Sequence, residues 1–178
     1  MSWYALHVKT GAEDNVEQFL QYHFNRNECY SIVPKRKLTE VRKGKCYEVI
    51  KIFFPGYVLV NLDMSTDIYY IIRKIPNVYT VLKQDGEYYS KISNEEVSPI
   101  LELLKDIDII DFSNIFIENS KVSVNSGPLL GMEGLIRKVD KRRGRAKVAI
   151  NFMGSEKTVD LGVKILNTSK KSDCLGCI

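Results

Sequence analysis

Residues 53–62, FFPGYVLVNL, decide the fold of the N-terminal part of this chain. Residues 56–62 predict a β-strand, and the consecutive Val58 and Leu59 indicate that both faces of this strand are covered. Residues 53–57, termed the aromatic segment, place three aromatic rings around a Pro-Gly bend. Such rings are typical of a hydrophobic core, but a bent aromatic cluster can also form a concave apolar patch for a partner helix. Both interpretations stay open from the residues alone.

The residues before the aromatic segment predict a strand followed by a helix. Alternation over residues 3–9 indicates a strand that is buried on one face. Thr10 and Glu13 have the spacing of a capping box, in which a hydroxyl and a carboxylate accept hydrogen bonds from amides at a helix end. Apolar side chains at helical spacing over residues 16–23 then predict an amphipathic helix.

The residues after the aromatic segment predict two further helices with a strand between them. Residues 66–74 have an apolar side at helical spacing, and Pro76 stops this helix. Residues 78–82 predict a strand. Ser93 and Glu96 form a second predicted capping box, which begins the third helix.

The N-terminal domain is therefore predicted to belong to the α+β class. Residues 29–34 predict another strand, and the basic residues 38–48 predict a hairpin or loop that turns at Gly44. The order strand, helix, strand, strand, helix, strand, helix is the split βαβ arrangement, in which helices cover one face of a sheet. We expect this domain to span residues 1–105.

The sequence pattern of the C-terminal part differs from that of the N-terminal domain. Residues 106–119 form the predicted linker, but they are rich in Ile and Phe, so we expect the linker to pack on one or both domains. Residues 120–167 alternate short apolar runs with Gly-containing turns, which predicts a small, SH3-like, five-stranded β-barrel. Residues 168–178 are predicted to be a polar tail.

Composition and charge limit the function. The chain has 178 residues and a net charge of +4. Residues 1–117 carry 14 Lys and Arg against 16 Asp and Glu, whereas residues 118–178 carry 12 against 6, so the C-terminal part favours a polyanionic partner. No apolar run is long enough to span a bilayer and no secretory signal is present, so we expect a cytoplasmic protein without membrane contact.

Two groups of residues resemble a known family. Phe53-Phe54-Pro55-Gly56-Tyr57-Val58 resembles the signature of the NusG N-terminal domain. Residues 122–128, VSVNSGP, together with residues 131–136, GMEGLI, and Val139-Asp140 resemble a KOW domain. The two domains in this order are similar to transcription elongation factors of the NusG family over almost the whole chain.

The resemblance implies partners and a mechanism. In NusG-like proteins the aromatic segment grips the clamp helices of RNA polymerase, bridges the clamp and suppresses pausing. By this resemblance the expected polymerase-binding residues are Phe53, Phe54, Pro55, Gly56 and Tyr57. The family acts by binding and not by catalysis, so we expect no enzyme activity, no cofactor and a monomeric protein.

Two clusters of basic residues suggest a second partner. One cluster lies in the predicted hairpin before the aromatic segment and the other in a hairpin of the KOW-like domain, and each has few opposing carboxylates. Such clusters occur in loops that are simply exposed to solvent, and they also occur at surfaces that bind RNA phosphates. These features resemble LoaP-type antiterminators, which bind an RNA hairpin in a nascent leader. The candidate RNA-binding residues are Lys35, Arg36, Lys37, Arg42, Lys43, Lys45, Lys138, Lys141, Arg142, Arg143, Arg145 and Lys147.

Three alternatives remain from the sequence. A general NusG-type factor would use its KOW domain to couple polymerase to a ribosomal protein or a termination factor. A KOW domain that switches into a helical hairpin is disfavoured, because Val, Ile and Gly-Pro oppose helices. Cys174 and Cys177 have the spacing of half a zinc site, but no further ligands lie nearby, so no metal is expected.

Overall fold

The computed structural model describes residues 1–83, 88–105, 107–119 and 121–166. The predicted tail with Cys174 and Cys177 lies outside the described residues. The predicted mixed α+β class is confirmed: three α-helices combine with twelve strands within the described part of the chain. In those residues no helix is long and apolar enough to cross a bilayer.

The N-terminal domain is built on a sheet with the strand order β2-β5-β1-β6. The central strands β1 and β5 are antiparallel, with Tyr4 opposite Val60. One face of the sheet packs against α1 and α2 around Leu6, Leu20 and Ile72. The elements are β1 (Ser2–Val8), α1 (Glu13–His23), β2 (Cys29–Ile32), β5 (Tyr57–Leu62), α2 (Thr66–Lys74), β6 (Val78–Val81) and α3 (Asn94–Leu104).

The helix ends follow from local chemistry. Helix α3 has the predicted capping box, since the Ser93 hydroxyl accepts from the Glu96 amide at 3.3 Å and the Glu96 carboxylate accepts from the Ser93 amide at 3.4 Å. Helix α2 begins after Ser65, whose hydroxyl accepts from the Ile68 amide. It ends shortly before a proline, as predicted.

The predicted capping box of Thr10 with Glu13 is wrong. Ala12 stands at the helix N-cap and makes no side-chain cap bond. The Glu13 carboxylate instead accepts from the amide of Gly11 at 2.7 Å and, across the fold, from the amide of Gly56 at 2.7 Å. Glu13 is fully buried, so this long-range bond takes the place of a local cap.

The predicted basic hairpin is a long β-ribbon. Strands β3 (Lys35–Arg42) and β4 (Lys45–Ile52) pair along their whole length, so that Leu38 lies opposite Val49. Strand β7 (Ile109–Ile110) adds to β3 in parallel, which gives a separate sheet with the order β4-β3-β7. The paired strands reach beyond the predicted hairpin or loop at both ends, over residues 35–42 and 45–52.

Part of the predicted linker forms a strand. Within residues 106–119, β8 (Ser113–Glu118) pairs with two strands of the C-terminal domain. Strand β12 (Ser155–Ile165) is one continuous strand, and β8 supplies the fifth strand of this sheet. The sheet has the order β10-β11-β12-β8-β9, with β9 (Lys121–Ser126), β10 (Ile136–Asp140) and β11 (Arg145–Phe152).

A single hydrophobic core connects the two domains. It joins the second face of the N-terminal sheet at Leu59, helix α3 at Ile100, the former linker at Ile110 and Ile115, and the C-terminal sheet at Phe152. All five side chains are buried. The C-terminal domain therefore packs on the sheet face that α1 and α2 leave uncovered.

Candidate functional site

The aromatic segment is held in a fixed bend. The Phe53 amide donates to the carbonyl of Pro34 at 2.7 Å, and Glu13 accepts from the Gly56 amide. Gly56 has φ of +85°, and a Cβ there would lie 3.3 Å from the Thr10 hydroxyl oxygen. The bend therefore requires glycine, both for its backbone conformation and for close packing.

The C-terminal domain packs against two rings of the aromatic segment. The ring of Phe54 stacks on that of Phe152 with centroids 4.5 Å apart, and Tyr57 meets Phe152 edge-on at 5.5 Å. Phe53 is only 1% exposed and Phe54 only 6%. Pro55 is exposed and Tyr57 is half-buried, so these two carry what remains accessible of the predicted polymerase site.

Polar contacts surround this aromatic junction. Arg36 Nη1 donates to the carbonyl of Asp160 at 2.6 Å, and Arg145 Nη2 donates to the carbonyl of Thr39 at 3.2 Å. Burial lowers the pKa of Arg36, with a smaller contribution from the charge of Arg145, while Asp160 opposes the shift. These two arginines join the N-terminal β-ribbon to the C-terminal sheet.

The basic turn between β10 and β11 faces the ribbon across a cleft. The turn between β10 and β11 lies opposite the ribbon β3–β4 across a cavity of about 630 Å³. Glu40, the one carboxylate in the lining, is occupied by Arg42 at 2.7 Å and Lys51 at 3.2 Å. The lining of this cavity, termed the basic cleft, is Thr39, Glu40, Val41, Cys46, Lys141, Arg142, Arg143, Gly144 and Arg145.

The predicted RNA-binding residues fall into two groups. Four of them make contacts inside the protein: Lys35 pairs with Asp14, Lys37 pairs with Asp111, and Arg36 and Arg145 lie at the domain junction. The other eight are exposed, and among them Arg42 pairs with Glu40, Arg143 with Asp140 and Lys147 with Asp160. They are Arg42, Lys43, Lys45, Lys138, Lys141, Arg142, Arg143 and Lys147.

No metal centre accompanies the cleft in the part of the chain that the structure describes. No group of three or more His, Cys, Asp and Glu side chains there could hold an ion. Of the two cysteines described, Cys46 is exposed and Cys29 is buried, and burial raises the pKa of Cys29 to about 11.

Comparison with known proteins decides the family. A family model described as "Transcription termination factor nusG" matches residues 1–101. The chain belongs to the NusG family. This is a family of transcription termination and antitermination factors, and not of enzymes.

Relatives match almost the full length of this NusG-family chain. The transcription termination/antitermination protein NusG of Buchnera aphidicola subsp. Acyrthosiphon pisum is 29% identical over 165 residues, covering 89% of this chain and 91% of that protein. The protein of the same name from Escherichia coli K12 is 28% identical over the same share of each chain.

A solved structure supports the NusG fold. "Domain interaction in Thermotoga maritima NusG" aligns with a TM-score of 0.53 at 21% identity, covering 90% of this chain and 93% of that one. At that level of identity the likeness concerns the fold alone.

Sequence reasoning missed the partners that hold the two domains of this NusG-family protein together. In the sequence, Phe152 is one of several apolar residues among residues 148–153, and Asp160 is a single acidic residue between Val159 and Leu161. Their roles depend on pairs that are distant in sequence, Phe54 with Phe152 and Arg36 with Asp160, and no local spacing signals such pairs. The sequence signal for the cleft was the small number of Asp and Glu residues among the basic residues of the hairpins.

Proposed function

We propose that this NusG-family protein is a processive antitermination factor that binds RNA polymerase and a structured nascent leader RNA, and so promotes read-through. The aromatic segment contacts the polymerase clamp helices, and the basic cleft contacts RNA phosphates. In this respect it resembles LoaP-type antiterminators, which RNA recruits to particular transcripts.

One observation carries the RNA assignment: the basic turn between β10 and β11 lines a cleft whose other side is the ribbon β3–β4. Lys141, Arg142 and Arg143 come from the C-terminal domain and are exposed, while Arg42 and Lys43 lie at the turn of the facing ribbon. Exposed cations along one side of the cleft, with the basic ribbon residues 42–45 next to its lining, suit a folded RNA, which presents more than one phosphate backbone.

The polymerase assignment rests on the aromatic segment. The bend is fixed by the buried Glu13, and Pro55 stands exposed at its tip. A preorganised apolar bend is the kind of surface that receives a partner helix with little loss of conformational freedom.

An RNA gel shift tests the assignment of the cleft. The probe is a leader RNA hairpin, and a single-stranded RNA of equal length is the comparison. We expect Lys141→Gln/Arg142→Gln/Arg143→Gln to weaken hairpin binding at least tenfold. We also expect the slope of log affinity against log salt to fall by about 2, since each phosphate contact contributes about 0.7 to 0.9.

A matched variant controls for net charge. Arg73→Gln/Lys74→Gln/Lys157→Gln removes the same charge from exposed positions that do not line the cleft. We expect it to keep hairpin affinity within about twofold. Equal losses in the two triple variants would show a diffuse charge effect and would refute the cleft as the RNA site.

The general NusG function is the second candidate. The similarity to termination/antitermination proteins across 91% of their length supports it, because it includes the C-terminal domain. In that case the C-terminal domain recruits a ribosomal protein or a termination factor. Weak RNA binding that does not distinguish the hairpin from the single strand would favour this function.

A further inference from the structure

We propose that the basic cleft binds unpaired nucleotides of the leader RNA, held in a loop or a bulge, and not its paired stem. This inference rests on the proposed function and names the part of the RNA that the cleft takes. It follows from a chemical difference between the two walls of the cleft, because one wall carries cations and the other carries apolar side chains.

The apolar wall is one face of the ribbon β3–β4. Val41 lies directly opposite Cys46 in the ribbon. Directly opposed residues of an antiparallel pair share a face, and alternate residues along a strand do so as well. Thr39, Val41 and Cys46 therefore stand on the same face, and all three line the cavity. Val41 is 64% exposed and Cys46 is exposed, so this wall offers apolar groups to a ligand.

The cationic wall is the turn between β10 and β11. Lys141, Arg142 and Arg143 are exposed there and line the same cavity. Arg145 connects the two walls, because its Nη2 donates to the Thr39 carbonyl at 3.2 Å. A direct hydrogen bond therefore fixes how far the cations stand from the apolar face.

A paired RNA stem does not suit these walls. Its outer surface consists of phosphates and of a shallow minor groove lined with 2′-hydroxyl groups, and side chains cannot enter its deep major groove. Such polar groups would lose water to Val41 and Cys46 without gaining a hydrogen bond, which costs free energy. The cavity of about 630 Å³ also has the size of a pocket for a small molecule, which is about 300 to 1000 Å³. It is thus suited to single nucleotides and is too small for a double helix.

An unpaired nucleotide suits both walls at once. The face of its base can pack on Val41 and Cys46, while its phosphates meet the cations of the turn. The hydroxyl of Thr39 can donate or accept a hydrogen bond at the edge of the base. A loop or a bulge already holds such nucleotides in place, so binding it costs less conformational entropy than ordering a free single strand.

Gel shifts with two RNA probes of the same stem sequence test this inference. One probe carries a bulge of unpaired adenosines, and the other is fully paired with blunt ends. We expect the wild-type protein to bind the bulged RNA about tenfold more tightly or better. Val41→Ser/Cys46→Ser keeps the net charge, so it should reduce this preference to about twofold or less and leave the salt dependence unchanged.

Ile50→Ser is the matched control. Ile50 is 53% exposed and lies two residues from Glu48 on the same face of the ribbon, but it does not line the cavity. We expect Ile50→Ser to keep the full preference for the bulged RNA. An equal loss in this variant would assign the effect to the ribbon as a whole and would overturn the inference.

Alkylation of Cys46 by N-ethylmaleimide provides a second measurement on the wild-type protein. Mass spectrometry of the peptide that contains Cys46 gives the rate at this residue alone. A base packed on the thiol should slow the reaction about tenfold or more at saturating bulged RNA. Saturating paired RNA should leave the rate within about twofold of that of the free protein. Equal protection by the two probes would overturn the inference.

The outcomes separate this inference from the proposed function. Equal affinity for bulged and paired RNA, with loss of both in the triple glutamine variant of the turn, would overturn the inference and leave the cleft as an RNA site. A preference that Val41→Ser/Cys46→Ser retains would place the unpaired nucleotides elsewhere and would also overturn it. Failure of the wild-type protein to bind either RNA would overturn both proposals. The alkylation rates decide the matter even if Val41→Ser/Cys46→Ser does not fold.

Discussion

The ring of Phe54 lies parallel to the ring of Phe152, with 4.5 Å between centroids and 8° between planes. The first ring belongs to the aromatic segment and the second to the C-terminal sheet. The segment that the family resemblance assigns to polymerase thus serves, in this structure, as the centre of the contact between domains.

The stacked pair should show a measurable interaction energy. We expect a double-mutant cycle of Phe54→Leu and Phe152→Leu, followed by urea unfolding, to give a coupling of about 0.5 to 1.5 kcal/mol, as is typical of aromatic pairs. As a control, Phe54→Leu combined with Val16→Ala should be additive, because Val16 belongs to the core beneath α1. A coupling near zero for the stacked pair would contradict this geometry.

Glu13 should be more important for stability than an average glutamate. Its two carboxylate oxygens accept from Gly11 and Gly56, whereas a glutamine amide can accept through only one oxygen. We expect Glu13→Gln to lower the free energy of unfolding by about 1 to 3 kcal/mol, because a buried amide loses its acceptor. Urea unfolding at neutral pH measures this loss.

Glu17 provides the matched comparison. Its carboxylate accepts a single bond, from the Val33 amide at 3.1 Å, which a glutamine oxygen can replace. Burial raises the pKa of Glu17, so the ionised form is disfavoured in the folded protein. We expect Glu17→Gln to leave stability at neutral pH unchanged or slightly higher. A loss equal to that of Glu13→Gln would refute the distinct role of Glu13.

Tyr57 should be required for polymerase binding. Tyr57 is the half-buried ring of the aromatic segment. A carboxylate placed there would lose its hydrating water when a partner helix packs against it, which costs free energy. We expect Tyr57→Asp to abolish co-purification with RNA polymerase while circular dichroism shows a folded protein. Tyr22→Asp introduces the same change at a residue that is 86% exposed on α1, and it should bind normally. Full binding by folded Tyr57→Asp would exclude the segment as the polymerase site.

Asp111 should give a pH-dependent contribution to stability. Its carboxylate lies 2.9 Å from Lys37 Nζ, and this hydrogen bond lowers the pKa of Asp111 below its ordinary value of 3.8. Because this pKa is lowered, the ion pair contributes its full stabilisation above pH 3.8. The stabilisation is lost as the pH falls through the pKa of Asp111 in the folded protein. We expect Asp111→Asn to cost less than about 1 kcal/mol at pH 7, because the pair is partly exposed.

The measurement is the difference in unfolding free energy between wild type and Asp111→Asn across the acid range. That difference should shrink toward zero as the pH falls below 3.8 and through the lower folded-state pKa of Asp111. Lys37→Met should show the same pH dependence, because it removes the other partner. A difference that stays constant down to pH 2 would mean that the ion pair is not its cause.

Local sequence signals predicted several elements correctly. Ser93 and Glu96 define the start of α3, because a capping box lies within four residues and needs no distant partner. Thr10 and Glu13 show the same spacing, yet the buried amide of Gly56 competes for the Glu13 carboxylate. A local pattern is reliable where its groups remain exposed and becomes uncertain where a buried distant group can bind them.

The sequence by itself determined the family, the α+β class, the helix positions and the presence of two basic turns. These features depend on residue order, apolar periodicity and charge, all of which are local. Only the tertiary structure decided that Ser113–Glu118 joins the C-terminal sheet, that Arg36 and Arg145 bind carbonyls across the domain junction, and that Phe152 covers Phe54. These contacts join residues far apart in the chain, and a residue's own neighbours carry no information about which distant surface will bury it.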